Sequence, residues 1–291
     1  MTRGFANYPA TSVINDPNHW SGPIEALINQ AATYYTHRKL YINDSGDVLT
    51  VDKPLQLSDS LINATVHVMS GGPSMLGDDI AFLDEERLRY IKQTLPRPRE
   101  VAFPVDLFAK REQRYPRVFH RKVLKPWGRF DVIAVYNLEA SKFIDQEVLL
   151  KSVGLNERLP YLVWEFWGSE YLGKVRGSLT AHVAPRSVKV YRLTEDKGEP
   201  VILGTDMHVL MGEMEIDRSE WDTASKTLSG RAIRPVGERG NVFIYAPPKM
   251  GVANPAGHFL AKDGRDNSLI IRCPLQFQGG SADWSIRFFD L

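Results

Sequence analysis

The stretch from Leu40 to Asp79, LYINDSGDVLTVDKPLQLSDSLINATVHVMSGGPSMLGDD, decides how the first third of the chain is read. A short apolar run, Leu40 to Ile42, leads into a loop holding Asn43, Asp44 and Asp47. A helix is predicted over about 59–70, with Ser58 as its N-cap, Asp59 in the first turn, and Leu61, Ala64, Thr65 and Val68 as its inner stripe. Gly71-Gly72 stops it. A second short strand, Ser74 to Leu76, then ends on the pair Asp78-Asp79. Acidic residues at the tips of successive short strands, with helices between, form the rim of a β/α-barrel, where the loops after the strands carry the chemistry.

Two further helices flank this stretch. The first is predicted over about 22–38, with Ile24, Leu27, Ile28, Ala31 and Tyr35 on one face and Pro23 in its first turn. The other is predicted over about 85–95, capped by Asp84 and ended by Pro96 and Pro98, with Leu88, Ile91 and Leu95 facing inward. Helices alternating with short apolar strands imply βαβ units and a parallel sheet. Roughly three such units fit in residues 1–98, whereas a closed eight-unit barrel needs about 250 residues.

After Pro98 the pattern changes. Glycine and proline punctuate short alternating runs: VFHRKVL, FDVIAVYNL, YLVWEFW, SLTAHVA, SVKVYRL, VFIYAP, SLIIRCPLQF and DWSIRFF. These read as antiparallel strands of a β-sandwich. The expected fold class is therefore α/β plus all-β: the C-terminal part of a (β/α)8 barrel over 1–98, a β-sandwich over 99–194, and an additional β unit over 201–291. The acidic turn EDKGEP at 195–200 separates the last two.

Composition bounds the function. The chain has 291 residues, 43% hydrophobic and 24% charged, with a net charge of +1, so it carries no electrostatic footprint for nucleic acid or an anionic membrane. No window approaches 18 apolar residues, and the first residues lack the apolar core of a signal peptide. Localisation stays open. The single cysteine, Cys273, excludes an intrachain disulfide and reads as a buried packing residue. The seven histidines show no metal-binding spacing, and no nucleotide or serine-hydrolase motif is present, so neither a metal nor a cofactor is expected.

The acidic residues carry what chemistry can be read. Asp16, in NDPNHW, is either turn chemistry or a loop carboxyl able to protonate a glycosidic oxygen, with His19 and Trp20 beside it. Asp44 and Asp47 are either a turn or acceptors for sugar hydroxyls. Asp78 and Asp79 read as a cap toward the helix at 85–95 and an exposed group. His67 and Met69 read as packing or surface residues rather than ligands, and Arg38 as a solvated charge at a helix end.

Taken in order, these pieces resemble the α-galactosidase (melibiase) families of retaining glycoside hydrolases. The motifs are Asp16-Pro17-Asn18-His19-Trp20, then Asn43-Asp44-Ser45-Gly46-Asp47, then Ser70-Gly71-Gly72 through Leu76-Gly77-Asp78-Asp79. Two later phrases extend the likeness, PYLVWEFWGSEYLG at 160–173 and ILGTDMHVLMGEMEI at 202–216. The resemblance implies a double displacement at the anomeric carbon, with Asp16 as acid/base and His19, Trp20, Asp44 and Asp47 contacting a glycoside or oligosaccharide substrate. The family's nucleophilic aspartate belongs to an earlier barrel strand, and no such strand precedes Asp16. The implied partner is a barrel half carrying that strand, and the chain alone is expected to be inactive. The competing reading, from a different class, is a non-catalytic carbohydrate-binding or structural β-module with a vestigial α/β cap. Exposed tryptophans on one sheet face would favour it.

Overall fold

A computed structural model describes residues 21–40, 42–43, 48–109, 113–255 and 257–291. The chain clusters into two compact units. One comprises 1–121, 133–155 and 178–190, and the other 122–132, 156–177 and 191–291. The helices are α1 (Ser21–Thr33), α2 (Leu57–Ser70) and α3 (Glu85–Gln93). The strands are β1 (Phe103–Pro104), β2 (Val118–Lys125), β3 (Gly128–Asn137), β4 (Ile144–Leu149), β5 (Tyr161–Glu165), β6 (Glu170–Val175), β7 (Ser178–Val183) and β8 (Ser187–Glu195). They continue as β9 (Val201–Thr205), β10 (Ile216–Asp222), β11 (Thr227–Ile233), β12 (Arg239–Ala246), β13 (Met250–Val252), β14 (Phe259–Lys262), β15 (Leu269–Gln276) and β16 (Ser281–Asp290). Helices come first and antiparallel sheet follows, so the α/β-plus-all-β class holds.

All three helices form, with local corrections. Helix α2 starts at Leu57, so Ser58 lies inside it and Gln56 takes the cap position without a side-chain bond. From Ile62 onward it is buried all round rather than along one stripe, the pattern of a helix covered on every side. Gly71 ends it at φ 68°, and any Cβ there would meet the Glu100 carbonyl oxygen at 2.4 Å, so glycine is required twice over. Helix α1 stops at Thr33 and tightens into a 3-10 turn, Tyr34–Thr36. Its buried face is Ala26, Leu27, Gln30 and Ala31, while Ile28 and Tyr35 are exposed. In α3, Asp84 caps as expected, accepting from the Arg87 N–H at 2.9 Å, and Ile91 is buried. Leu95 lies beyond the last helical residue and is exposed.

The strand expected at Leu40–Ile42 does not form among the described residues. Arg38 sits in the left-handed region at φ 56°, the chain turns through 38–40, and Leu40 is 72% exposed. Pairing occurs instead at Leu49, which bridges Leu76 in parallel. The run Val48-Leu49-Thr50-Val51 holds three β-branched residues and buries alternate side chains, which suits it to extended pairing better than Leu-Tyr-Ile does.

All eight alternating runs become strands, and the strand pairings among the described residues are antiparallel. The hydrogen-bonded order β1-β2-β3-β8-β5-β6 makes a six-stranded sheet, and β4 pairs with β7 separately. Strand β3 is buried on both faces from Phe130 to Asn137, which fits its central place in that order. Strand β5 stops at Glu165 because its buried carboxylate accepts the Trp167 and Gly168 N–H groups at 3.1 and 2.7 Å, turning the chain.

In 201–291 two four-stranded sheets, β14-β15-β12-β9 and β10-β11-β16-β13, share one core. That core includes Ile202, Val242, Ile244, Ile271, Trp284 and Ile286. Cys273 is buried within it, as the sequence predicts, and burial pushes its thiol up to about 11. Gly230 makes room for Trp284, whose ring atom Cζ2 would lie 2.4 Å from a Cβ there.

Candidate functional site

The parallel bridge ties Leu49, two residues after the Asn43–Asp47 motif, to Leu76. The Leu49 N–H donates to the Met75 carbonyl at 2.7 Å, and the Gly77 N–H donates to the Leu49 carbonyl at 3.0 Å. This pair of slanted bonds flanking one residue is the parallel pattern. Gly77 is needed at this approach, because a Cβ there would come within 2.6 Å of the Val48 Cγ1. The Leu76-Gly77-Asp78-Asp79 segment thus lies against the residues that immediately follow the Asn43–Asp47 loop.

Helix α2 and α3 fix the same strand from the other side. Asn63 Nδ2 donates to the Thr50 carbonyl at 3.1 Å, and the Ser60 hydroxyl to the Val51 carbonyl at 2.8 Å. The buried Arg87 guanidinium donates to the Val51 carbonyl, to Ser60 Oγ at 3.1 Å and to the Leu55 carbonyl at 2.8 Å. Sequence reading gave Arg87 no role. An arginine two residues into a surface helix looks solvated until the tertiary fold lays carbonyls across it.

The lead-in to the acidic loop is held by His37. Its Nδ1 accepts the Asn43 N–H at 2.9 Å, which leaves Nε2 as the protonated nitrogen, and this donates to the Arg99 carbonyl at 2.8 Å. Burial holds the His37 pKa below its usual 6.5, with the Arg99 carbonyl pulling the other way and the charge of Arg38 reinforcing the depression. Arg38 is not merely solvated, since its Nε also donates to the Arg99 carbonyl at 3.0 Å. The Asn43 side chain is buried, and its amide nitrogen and oxygen have no hydrogen-bond partner among the described residues.

The candidate site residues Asp16, His19, Trp20, Asp44 and Asp47 lie outside the described residues. Asp78 and Asp79 are described, and neither is free. Asp78 Oδ2 accepts the Val51 N–H at 2.6 Å, and Asp79 Oδ1 accepts the Ala81 N–H at 3.1 Å. Asp78 therefore pins the parallel bridge and does not cap α3, a job done by Asp84. One oxygen of each carboxylate is thus used by the local backbone. His67 and Met69 are buried packing residues, as expected, with His67 Nδ1 at 3.0 Å from the Asn63 carbonyl. Among the described residues no group of three or more His, Cys, Asp or Glu side chains could hold a metal ion, and no helix is long and apolar enough to cross a membrane.

No protein-family model matches the sequence, and no curated protein matches it. Among solved structures the chain is similar to α-galactosidase I from Mortierella vinacea, at 14% identity and a TM-score of 0.48 over 60% of this chain and 44% of that one. It is similar to a β-L-arabinopyranosidase from Geobacillus stearothermophilus at 17% identity and a TM-score of 0.47, over 62% and 43% of the two chains. An α-galactosidase from Saccharomyces cerevisiae gives 11% identity and a TM-score of 0.47, over 65% and 56%. The chain thus spans about half of the length of these structures, or less.

Proposed function

We propose that this chain is the C-terminal part of a retaining glycoside hydrolase of α-galactosidase type, acting on terminal α-glycosides. The observation that carries the reading is the Leu49–Leu76 bridge. It joins, across α2, the residues that follow one motif of the resemblance, Asn43–Asp47, to another, Leu76–Asp79. That Asp78 and Asp79 are committed to backbone N–H groups supports giving the acid/base role to Asp16. Asp16 protonates the leaving oxygen and then deprotonates water. His19, Trp20, Asp44 and Asp47 contact the sugar. The nucleophilic carboxylate comes from an earlier barrel strand outside these residues, about 5–5.5 Å from the acid/base group in the assembled site.

In this reading residues 1–98 complete a barrel contributed in part by another polypeptide segment, and 99–194 and 201–291 are the β portions behind it. The isolated chain gives no turnover of an aryl α-galactoside. Co-expression with a barrel half carrying the nucleophile restores turnover, and Asp16→Asn in that complex abolishes it again. Turnover by the chain alone that survives Asp16→Asn would overturn both the partial-barrel reading and the role of Asp16. The carbohydrate-binding-module alternative finds no support in the sheets. Trp127, Trp164, Trp167, Trp221 and Trp284 are all buried or half-buried, so the described tryptophans form no exposed platform.

A further inference from the structure

Strand β4 has an open edge, independent of the region discussed above. It pairs with β7 over its whole length, Ile144 with Val183 through Leu149 with Ser178, and with no other strand among the described residues. Four consecutive residues of β4, Gln146 to Leu149, line a cavity of about 400 Å3. Successive side chains of a strand point to opposite faces, so a cavity lined by four in a row lies along the strand's edge. The hydrogen bonds agree. The Glu147 carbonyl accepts from its neighbour's Gln146 Nε2 at 3.1 Å and the Leu149 carbonyl from Ser152 Oγ at 2.6 Å, neither being a ladder bond. Asp145, Glu147 and Leu149 therefore turn their backbone groups away from β7 and toward the cavity side.

The opposite wall is aromatic and apolar. Tyr34 and Phe103 meet edge to face at 5.3 Å between centroids, Phe103 is 44% exposed, and Phe108 is 94% exposed. The cavity's other carboxylate, Asp106, is already engaged by the Arg117 and Val118 N–H groups and by Gln113. Glu147 is exposed and makes no such bond among the described residues, and Asp145 beside it meets the exposed His182 at 2.6 Å. The groove thus offers an unpaired β edge, an aromatic wall and negative charge along one side.

We propose that the β4 edge takes an extended segment of a partner protein as an added strand, with apolar side chains against Phe103 and Phe108 and a Lys or Arg opposite Glu147. Main-chain hydrogen bonds supply affinity in such strand addition, and alternate side chains supply selectivity. A second copy of β4 is a poor occupant, because antiparallel self-pairing would bring Asp145 and Glu147 of both copies to one seam, and like charges across a strand pair are destabilising.

The test uses the full chain and two fluorescein-labelled seven-residue peptides, one alternating Lys with Val and Phe, the other with Glu in place of Lys. Fluorescence anisotropy at low salt should show the Lys peptide binding about tenfold more tightly than the Glu peptide. Glu147→Lys should reverse that preference at an unchanged unfolding midpoint. Glu147→Pro removes one outward N–H, a position where an edge strand tolerates proline, and should weaken both peptides. Amide exchange should slow at Asp145, Glu147 and Leu149 on binding. The proposal is overturned if the Lys peptide does not bind, if Glu147→Lys leaves the preference unchanged, or if protection falls elsewhere. Protection of the same amides that rises with protein concentration, without peptide, would make a second copy the occupant and overturn it too. Should Glu147→Pro fail to fold, Glu147→Lys alone decides.

Discussion

In residues 201–291 two four-stranded antiparallel sheets enclose a shared core, whereas in residues 21–98 three helices surround a single described parallel bridge, Leu49 to Leu76. Antiparallel strands can be paired by short turns and can leave one face to water, so a sandwich can be complete within a hundred residues or so. Parallel strands are found covered on both faces and in larger sets. The polar interior marks the same contrast. In 21–98 the side-chain amides of Gln30 and Asn43 are buried with neither nitrogen nor oxygen bonded among the described residues, and the Thr50 and Ser74 hydroxyls likewise. In 201–291 the buried side-chain groups without a partner among the described residues are isolated ones, such as the indole N–H of Trp221 and Trp284. A carboxamide left with all its sites empty is the costlier arrangement. The lesson is that the β core leaves only single polar side-chain atoms unbonded among the described residues, while the α/β region buries whole carboxamides without a described partner.

The largest effect expected from breaking this contrast is in the sandwich. Trp284→Ala removes an indole packed over Gly230 and should cost about 3–5 kcal/mol in urea unfolding. A loss below about 1 kcal/mol would show that Trp284 does not anchor this core. In the α/β region the sign should reverse. Gln30→Leu replaces an unbonded buried amide by an apolar side chain of similar size and should stabilise the isolated chain by about 1–2 kcal/mol. Destabilisation of that size would mean that Gln30 has a partner and that the contrast between the regions is false. Asp84→Ala removes the α3 cap and should cost about 1 kcal/mol.

The same contrast governs what was legible in the sequence. Every β run signalled by period-two alternation became a strand, because in β15 and β16 the alternation of side chains and the alternation of burial are the same fact. Helices were legible by type and less so by face. The inner stripe expected for α1 included Ile28 and Tyr35, but the helix ends before Tyr35 and packs through Gln30, a residue no apolar pattern would select. The parallel pairing was legible as a class and misplaced by several residues, since the turn at Arg38 that spoils Leu40–Ile42 depends on a bond to Arg99, sixty-one residues away. Strands β10 and β11 gave little signal for a similar reason. In β10, IDRSEWD is polar on most positions, and it becomes a strand through pairing with β11, whose other edge is held by β16.

The smallest expected effect is also the most specific to the α/β region. A histidine whose folded pKa lies below its unfolded 6.5 binds its proton more readily when the chain is unfolded. Stability should therefore fall as pH drops through about 6.5 and level off once the folded pKa is passed. His37 and His258 are both depressed, and in each case burial is the leading cause. Around His37 the charges of Arg38 and Arg121 deepen the effect and that of Glu100 opposes it. His37→Gln keeps an acceptor for the Asn43 N–H and a donor for the Arg99 carbonyl, yet cannot titrate. Its urea midpoint should change less between pH 7.5 and pH 5.5 than that of the parent, with the remainder belonging to His258. An unchanged pH dependence in His37→Gln would show that the lead-in to the Asn43–Asp47 loop is open to water in solution. That outcome would remove His37 as a polar tie of that lead-in and leave the bonds of Asp78, Ser60, Asn63 and Arg87 to Thr50 and Val51 beside the bridge.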